Sequence, residues 1–313
     1  METRYLETLL TTVESGSFSR TAELLHLTQS GVSQRIKFLE DHFGQVLLER
    51  GAQLRPTPAG EVVVAHARDI VASMRTLQQQ MELFSGGKRL ALCCTPTFGM
   101  VFLPEVLNDF MQRNSDLADF KFSFQQPEEA LRGLQARQFD LAIIEHCDDI
   151  ESSGIEKIDL QQDELVFVSA PQLGIPAGVT ELERLLPFRI YARRDGCSSK
   201  KLLMRNLEKA GRSIDDFSGV LVSDDLRLTL QEIVAGRGIS FLSLSLAEEF
   251  LRRGELLLHR VDNFSHYRRR SLLVNKDLRH APLILDFIKS IFRIKDWGGI
   301  FPLGCDHLHM KST

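Results

Sequence analysis

From Glu2 to Val13, Tyr5, Leu6, Leu9, Leu10 and Val13 recur on a helical period, which predicts a first amphipathic helix. The stretch ESGSF, Glu14 to Phe18, breaks that period, because Gly16 and the serines beside it favour a turn. Ser17 is placed to cap a short second helix carrying Ala22, Leu24 and Leu25, and the small Ala22 permits a close helix crossing. His26 and Leu27 make a corner. Thr28 is the next N-cap, and a third helix runs to about Asp41 with Val32, Ile36, Leu39 and Phe43 turned inward. Its outer face follows from geometry. Ser30, Ser33, Gln34 and Lys37 lie at i, i+3, i+4 and i+7, flanked by Gln29 and Arg35, and carry donors with no acid among them.

The next stretch, VLLERGAQLRPTPAG, reads as two short strands around a turn at Gly51, placing Arg50 and Arg55 beside the third helix as a wing. Taken alone, a polar helix face is what any surface helix shows. With the corner before it and a basic wing after it, the face predicts a helix-turn-helix unit whose third helix enters a DNA major groove. Glutamine, serine and lysine suit base edges and phosphates, and arginine on the wing suits phosphate.

Thr57-Pro58 is a strong helix start, threonine at the N-cap and proline at the first helical position. Val63, Ala67, Ile70, Met74, Leu77, Met81 and Phe84 then alternate at spacings of four and three until Gly86-Gly87 ends the pattern. A helix packed on its own domain usually buries a wider stripe than this. The seam therefore predicts a dimerising linker helix. From Lys88 the pattern changes: RLALCCT and DFKFSFQ are strand-like, MVFLPEVLNDFMQR and PEEALRGLQARQ helical, and FDLAIIEH a continuous apolar run of the kind buried in parallel sheets. DELVFVSAP opens a second set of alternating strands and helices that extends to the segment ending LDFIKSIF. The region is predicted to be α/β.

Composition narrows the classes. With 313 residues, 43% hydrophobic and 26% charged, the chain has room for more than one core. A net charge of −4 confines any nucleic-acid contact to a local patch. Five cysteines, an odd number, predict reduced thiols rather than a disulfide framework. The sequence shows no signal segment and no apolar run of the roughly 18 residues that a membrane helix needs, so a cytoplasmic protein without membrane contact is expected.

Other chemistry finds little support. Cys305, His307 and His309 lack a convincing fourth ligand, so no metal is expected. Gly236-Arg237-Gly238 fits a tight turn better than a phosphate loop. Cys93 and Cys94, as strand neighbours, point to opposite faces. No nucleotide fingerprint and no nucleophilic triad spacing is visible, and neither a cofactor nor an enzyme is predicted.

The run VESGSFSRTAELLHLTQSGVSQRIKFLEDHFGQVLLERGAQLRPTPAGE resembles the winged helix-turn-helix of the LysR-type transcriptional regulators. It departs from the usual pattern at Thr21, at Ser30-Gly31, at Leu48-Glu49-Arg50 and at Pro58. Gly31 costs about 1 kcal/mol of helix propensity against alanine and lets the helix approach DNA more closely. Further along, LQARQFDLAII and IVAGRGISFLS resemble motifs of the family's effector-binding domain, with Arg137 where glycine is usual and Leu244 where proline is usual. The resemblance implies an α/β protein with a winged helix-turn-helix at 1–60, a linker and dimerisation helix at 58–87 and a two-lobed, periplasmic-binding-protein-like effector domain at 88–295. Lobe I would take about 88–162 and 269–295 and lobe II about 163–268, the chain crossing near Asp163 and returning near Arg268, and 296–313 would be a tail. It also implies a double-stranded DNA operator, a small-molecule effector, and a homodimer that pairs into a homotetramer. A periplasmic-type solute-binding protein and an α/β enzyme with an appended DNA-binding domain are the rival classes.

The expected site residues follow. DNA contact falls to Gln29, Ser30, Ser33, Gln34, Arg35, Lys37, Arg50 and Arg55, and dimerisation to Val63, Ile70, Met74, Leu77 and Met81. Ligands of doubly wound folds sit beyond the carboxyl ends of strands. Here that means the CTPTF loop, the Glu145-His146 crossover and RRDGCSS, and it selects Thr95, Thr97, Glu145, Cys197 and Ser198. Helices start after the first and third of these, so backbone N–H groups and hydroxyls face an anionic effector, with Arg193, Arg194, Lys200 and Lys201 adding positive charge. The same setting favours a thiolate at Cys197, and a redox-sensing regulator is the alternative, although the sequence marks no resolving cysteine.

Overall fold

A computed structural model describes residues 2–49, 54–83, 88–150 and 153–294. The chain divides into two compact units, the second beginning at Lys88.

In the first unit, α1 (Thr3–Ser15) ends at Gly16, whose φ of 65° supplies the left-handed C-cap. The Ser17 hydroxyl accepts the Arg20 N–H to start α2 (Phe18–Leu24). His26 takes a φ of 53° at the corner, and the Thr28 hydroxyl accepts the Gly31 N–H at 3.1 Å to start α3 (Gln29–Phe43). The wing is the antiparallel pair β1 (Leu48–Glu49) and β2 (Arg55–Pro56), with Leu48 opposite Pro56 and Glu49 opposite Arg55. It is tied down locally: the Glu40 carboxylate accepts the Leu47 N–H at 2.9 Å, and the Thr57 hydroxyl donates to the Val46 carbonyl at 2.7 Å. Thr57 also accepts the Gly60 N–H at 3.0 Å and so opens α4 (Pro58–Leu83).

Two expectations change here. Phe43 is exposed, because Gly44 ends α3 and the inward positions stop at Leu39. The long seam is also divided. Val64, Ala67 and Val71 of α4 are buried in this unit's own core with Leu6, Leu9, Ile36 and Leu39, and Val63 packs half-buried against it. A straight helix with 3.6 residues per turn drifts off a seven-residue repeat, and the first turns of α4 give their apolar face to α1. From Ile70 onward the seam is open: Ile70, Met74, Leu77 and Met81 are 40 to 56% exposed. Phe84 and the Gly86-Gly87 stop lie outside the described residues.

The second unit begins with β3 (Lys88–Cys94), α5 (Pro96–Val101), α6 (Leu103–Arg113), β4 (Leu117–Phe124), α7 (Pro127–Gln135) and β5 (Leu141–His146). Strands β4, β3 and β5 are parallel neighbours; the continuous apolar run of β5 is buried throughout, while β4 at the sheet edge alternates polar and apolar residues and keeps Phe122 and Phe124 exposed. Next comes β6 (Ile155–Ser169), where the sequence reading opened a strand only at Asp163. The first half of β6 alternates buried and exposed positions with lysine, glutamate and glutamine outward, which disguises it as a loop. Then follow β7 (Gly178–Thr180), β8 (Arg189–Ala192), α8 (Ser198–Lys209), β9 (Gly219–Val222), α9 (Leu226–Val234), β10 (Ile239–Ser243), α10 (Leu244–Arg252), β11 (Leu257–Val261), β12 (Tyr267–Asn275) and α11 (Pro282–Ile294).

Strand β6 serves two sheets. Up to Glu164 it pairs antiparallel with β12, which pairs on its other side with β5; from Leu165 to Ser169 it pairs with β10 and β11. The chain therefore passes from one lobe to the other at Asp163 to Leu165 and returns at Tyr267 to Arg268, where Arg268 stands opposite Asp163. Cys94 lies in the lobe I core with Phe98, Phe110 and Phe287, and Cys93 on the sheet's other face with Ala130 and Leu134. Burial pushes the Cys93 thiol up to about 12. Gly236 turns at φ 72°, and a Cβ on Gly238 would meet the Arg189 carbonyl oxygen at 2.4 Å, so this glycine pair forms a tight turn.

Candidate functional sites

The outer face of α3 is open. Gln29, Ser30, Gln34 and Lys37 are exposed and Ser33 is half-buried, while Val32, Ile36 and Leu39 on the opposite side are in the core. Gln34 and Lys37 make no side-chain hydrogen bond among the described residues. Arg35 departs from the expected face: it is half-buried and donates to the Thr8 hydroxyl at 3.2 Å, fixing α3 to α1. Arg55 is exposed on the wing, and Arg50 lies outside the described residues.

The second site forms where the two strands cross between the lobes. Asp163 on β6, Arg268 and Arg270 on β12 and Glu145 on β5 are each at most 5% exposed. Arg268 binds Asp163 Oδ2 through Nε at 2.8 Å and through its terminal nitrogen at 2.7 Å. Arg270 bridges Glu145 at 2.9 Å and Asp163 at 2.8 Å, with its guanidinium 4.9 Å from the Phe102 ring centre. A bulge between Arg268 and Arg270 interrupts the β12 ladder here. Ser243 donates to Asp163 at 2.6 Å, and Thr95 donates to Glu145. Two acids and two guanidiniums balance, which is the condition under which charges tolerate burial. Burial works against the charge on Arg268, but Asp163 and Glu145 outweigh it and raise its pKa.

From this centre Arg268 reaches outward, donating to the Ser198 hydroxyl at 2.7 Å and the Thr97 hydroxyl at 3.3 Å. Both hydroxyls accept there and keep their own protons to donate, with no acceptor among the described residues. They line a cleft of about 670 Å³, counting solvent at its mouth, together with Thr95, Glu145 and Cys197. All five residues selected from the sequence thus meet in one place. The helix beginning after Thr95, however, has only six residues, so α8 is the longer helix start at the cleft. At the mouth Gln126 donates to the Asp195 carbonyl at 3.0 Å, joining the lobes, and a Cβ on Gly196 would meet the Gln126 side chain at 2.0 Å.

The thiols differ. Burial raises the Cys197 pKa, but Arg193, Arg268 and hydrogen bonds from Ser199 outweigh it, and the thiol lies below its usual value. Cys147 is raised, chiefly by burial, and donates to the Ser198 carbonyl at 3.3 Å. Of the groups in this site, the sequence selects neither Arg270, Ser243 nor Gln126, and it marks Asp163 and Arg268 only as crossing points. A signal was present: in YRRRSLLVN two arginines share a face of a strand otherwise apolar, a placement that burial permits only with acids opposite.

Comparison with known proteins assigns both units. The model described as "Bacterial regulatory helix-turn-helix protein, lysR family" matches residues 3–61, and "LysR substrate binding domain" matches 85–293. The RuBisCO operon transcriptional regulator of Allochromatium vinosum is 26% identical over 287 residues, covering 89% of this chain and 91% of its own. CbnR, a LysR family transcriptional regulator, shares the fold at 20% identity with a TM-score of 0.59, over 94% of this chain and 99% of its own. Full-length CbnR in complex with its target DNA matches at 22% identity with a TM-score of 0.57, over 94% of this chain and all of its own. The protein described here therefore belongs to the LysR family: it is a DNA-binding transcriptional regulator with an effector-binding domain.

Proposed function

We propose that the protein reads an operator through the outer face of α3 as a homodimer joined along Ile70, Met74, Leu77 and Met81, paired further into a homotetramer, and that a small anionic molecule in the cleft modulates this binding. The operator reading rests on Gln34 and Lys37, exposed on a face without acids. The anionic character of the effector rests on one observation: Thr97 and Ser198 hydroxyls accept from Arg268 and keep donor protons on the cleft side. A hydroxyl polarised in this way favours an oxyanion over a neutral acceptor. Calorimetry of a small-anion panel against the full-length protein and Thr97→Val tests it. The best binder should weaken about tenfold in the variant, the loss of one charge-assisted hydrogen bond. Equal affinity for both proteins would remove the cleft from consideration.

One observation favours a second reading, a thiol-based sensor. Among the described residues Cys197 is the cysteine whose thiol is lowered, and it opens onto the same cleft. In that case operator binding responds to hydrogen peroxide in the wild type and not in Cys197→Ser, with no added anion.

A further inference from the structure

Of the space in the cleft, about 50 Å³ is wide enough to admit water, room for about three or four molecules. An effector of about ten heavy atoms does not fit there until the lobes part. Several contacts hold them together. From the crossing, Arg268 joins Thr97 of lobe I to Ser198 of lobe II, and Met100 and Val101 of α5 pack against Leu226, Leu230 and Leu246 of lobe II. Outside the cleft lining, Asp148 of lobe I pairs with Lys201 and Arg205 of α8. The contact at the mouth differs in kind. Gln126 Nε2 donates to the Asp195 carbonyl at 3.0 Å, a single neutral hydrogen bond; the amide is half-buried and Asp195 exposed, so water can replace it at either end. The backbone on each side is fixed. Glu129 Oε2 accepts the Gln126 N–H at 3.2 Å, and the Cys197 N–H closes the turn around Asp195 and Gly196 onto the Arg194 carbonyl at 3.4 Å. The amide has room because residue 196 has no side chain: Gly196 stands at φ 85°, and a Cβ there would fall 2.0 Å from Gln126 Oε1. This glycine serves both the left-handed turn and a notch for the amide.

We propose that the Gln126 side chain is a strap that shuts the cleft while it lies in the Gly196 notch and lifts to let a molecule in. One neutral hydrogen bond shifts the balance between shut and open by about three- to tenfold, enough to keep the mouth closed and little enough to be undone. Lifting it leaves the buried charges paired, because Glu145, Asp163, Arg268 and Arg270 bond one another at the crossing. The strap goes beyond either reading of the cleft, since an anion and an oxidant must both pass it.

Cys197 reports entry, because it lines the cleft. The probe is iodoacetamide, a neutral molecule whose iodide the thiolate sulfur displaces from the methylene carbon. Rates at Cys197 over a pH series, read by peptide mass spectrometry on the full-length protein, separate the thiolate fraction from access to it. Gln126→Ala should raise access about three- to tenfold. Gly196→Ala should do the same, because its methyl expels the amide from the notch. Gly174→Ala places a comparable backbone strain at φ 69° with nothing within 4 Å, and should leave access within about twofold of wild type. Combined, Gln126→Ala and Gly196→Ala should match the single changes, since each removes the same contact. Wild-type access in Gln126→Ala overturns the strap, and so does a double variant in which the two effects multiply.

Discussion

The outer face of α3 and the crossing between the lobes are both rich in polar side chains, yet they are arranged in opposite ways. On α3, Gln34 and Lys37 are exposed and hold no partner within the described chain. At the crossing, Glu145, Asp163, Arg268 and Arg270 are buried and bind one another. A surface that is to meet a large polyanion can leave its donors hydrated and exchange water for phosphate at little cost to the fold. A cleft that is to meet a small molecule inside the protein must first satisfy its own buried charges, because each unpaired one would be severely destabilising. Mutation should therefore separate the two regions, acting on stability at the crossing and on recognition at α3.

The largest effect is expected at the crossing. Asp163→Ala leaves both Arg268 and Arg270 short of an acid, and removing one partner of a buried ionic cluster costs about 3–5 kcal/mol. Urea unfolding followed by a probe in the second unit should show a loss of unfolding free energy of that size. A shift below about 1 kcal/mol, the value typical of exposed pairs, would mean that water reaches these charges.

The first unit breaks by a different route, through packing. A Cβ on Gly60 would meet the Leu47 carbonyl oxygen at 2.0 Å and the Pro56 Cβ at 3.2 Å. Gly60→Ala should therefore push the wing away from α4 at a cost of about 1–3 kcal/mol, the range for overpacking. Operator affinity should fall with it, while the urea midpoint of the second unit should not move. If affinity is unchanged, the wing takes no part in holding DNA.

How far the two regions could be read in the sequence follows from the same contrast. The first unit is local: Ser17 and Thr28 bond to N–H groups three residues on, and His26 turns a corner between adjacent helices, so short-range rules locate each element. The exposed face of α3 then follows from helical geometry alone. Arg35 escapes this logic because its partner, Thr8, is 27 residues away. The crossing is built almost wholly from such distant partners, Arg268 with Asp163 across 105 residues and Arg270 with Glu145 across 125. Loops at strand ends mark Thr95, Thr97 and Ser198 by position, but no spacing rule joins an aspartate on β6 to arginines on β12. The divided seam of α4 has a similar cause, since a heptad pattern does not reveal which turns α1 will take.

On α3 the predicted effects are on recognition. Lys37→Ala should reduce the dependence of log affinity on log salt by about one unit and weaken all sequences alike. Gln34→Ala should relax discrimination at a base pair by about 1–3 kcal/mol with the salt slope intact. Neither should change the unfolding free energy beyond about 0.5 kcal/mol, the range of exposed substitutions. Measured on a genomic operator fragment at several salt concentrations, identical slopes and specificities for all three proteins would show that this face is not the one that meets DNA.

The smallest effect at neutral pH, and the one that returns to the second unit, comes from two buried histidines. His259 lies between the Pro176 carbonyl at 2.9 Å and the Ser169 hydroxyl at 2.7 Å, and His146 between the Asp148 carbonyl at 2.7 Å and the Ser271 hydroxyl at 2.8 Å. A carbonyl only accepts, so Nδ1 carries the proton in both; at His259 the neutral ring takes the Ser169 hydroxyl at Nε2, whereas beside His146 the Ser271 hydroxyl also donates to Asp159 Oδ1 at 2.9 Å. Burial is the leading cause that lowers both pKa values. The unfolded chain, with histidine near 6.5, then binds more protons than the folded one just below that pH. The contribution of the two rings is thus fully present above about pH 6.5 and is lost as the pH falls through their lowered folded values. Asp148, held at about 2 by Lys201 and Arg205, stays ionised across this window and does not mask the change. Urea midpoints of the second unit should fall between about pH 7 and about pH 5. His259→Gln, whose amide can donate to Pro176 and accept from Ser169, should flatten part of that slope. If the midpoint is level over this range in the wild type, both rings titrate as they do in the unfolded chain, and the second unit is more open to water than its buried charges require.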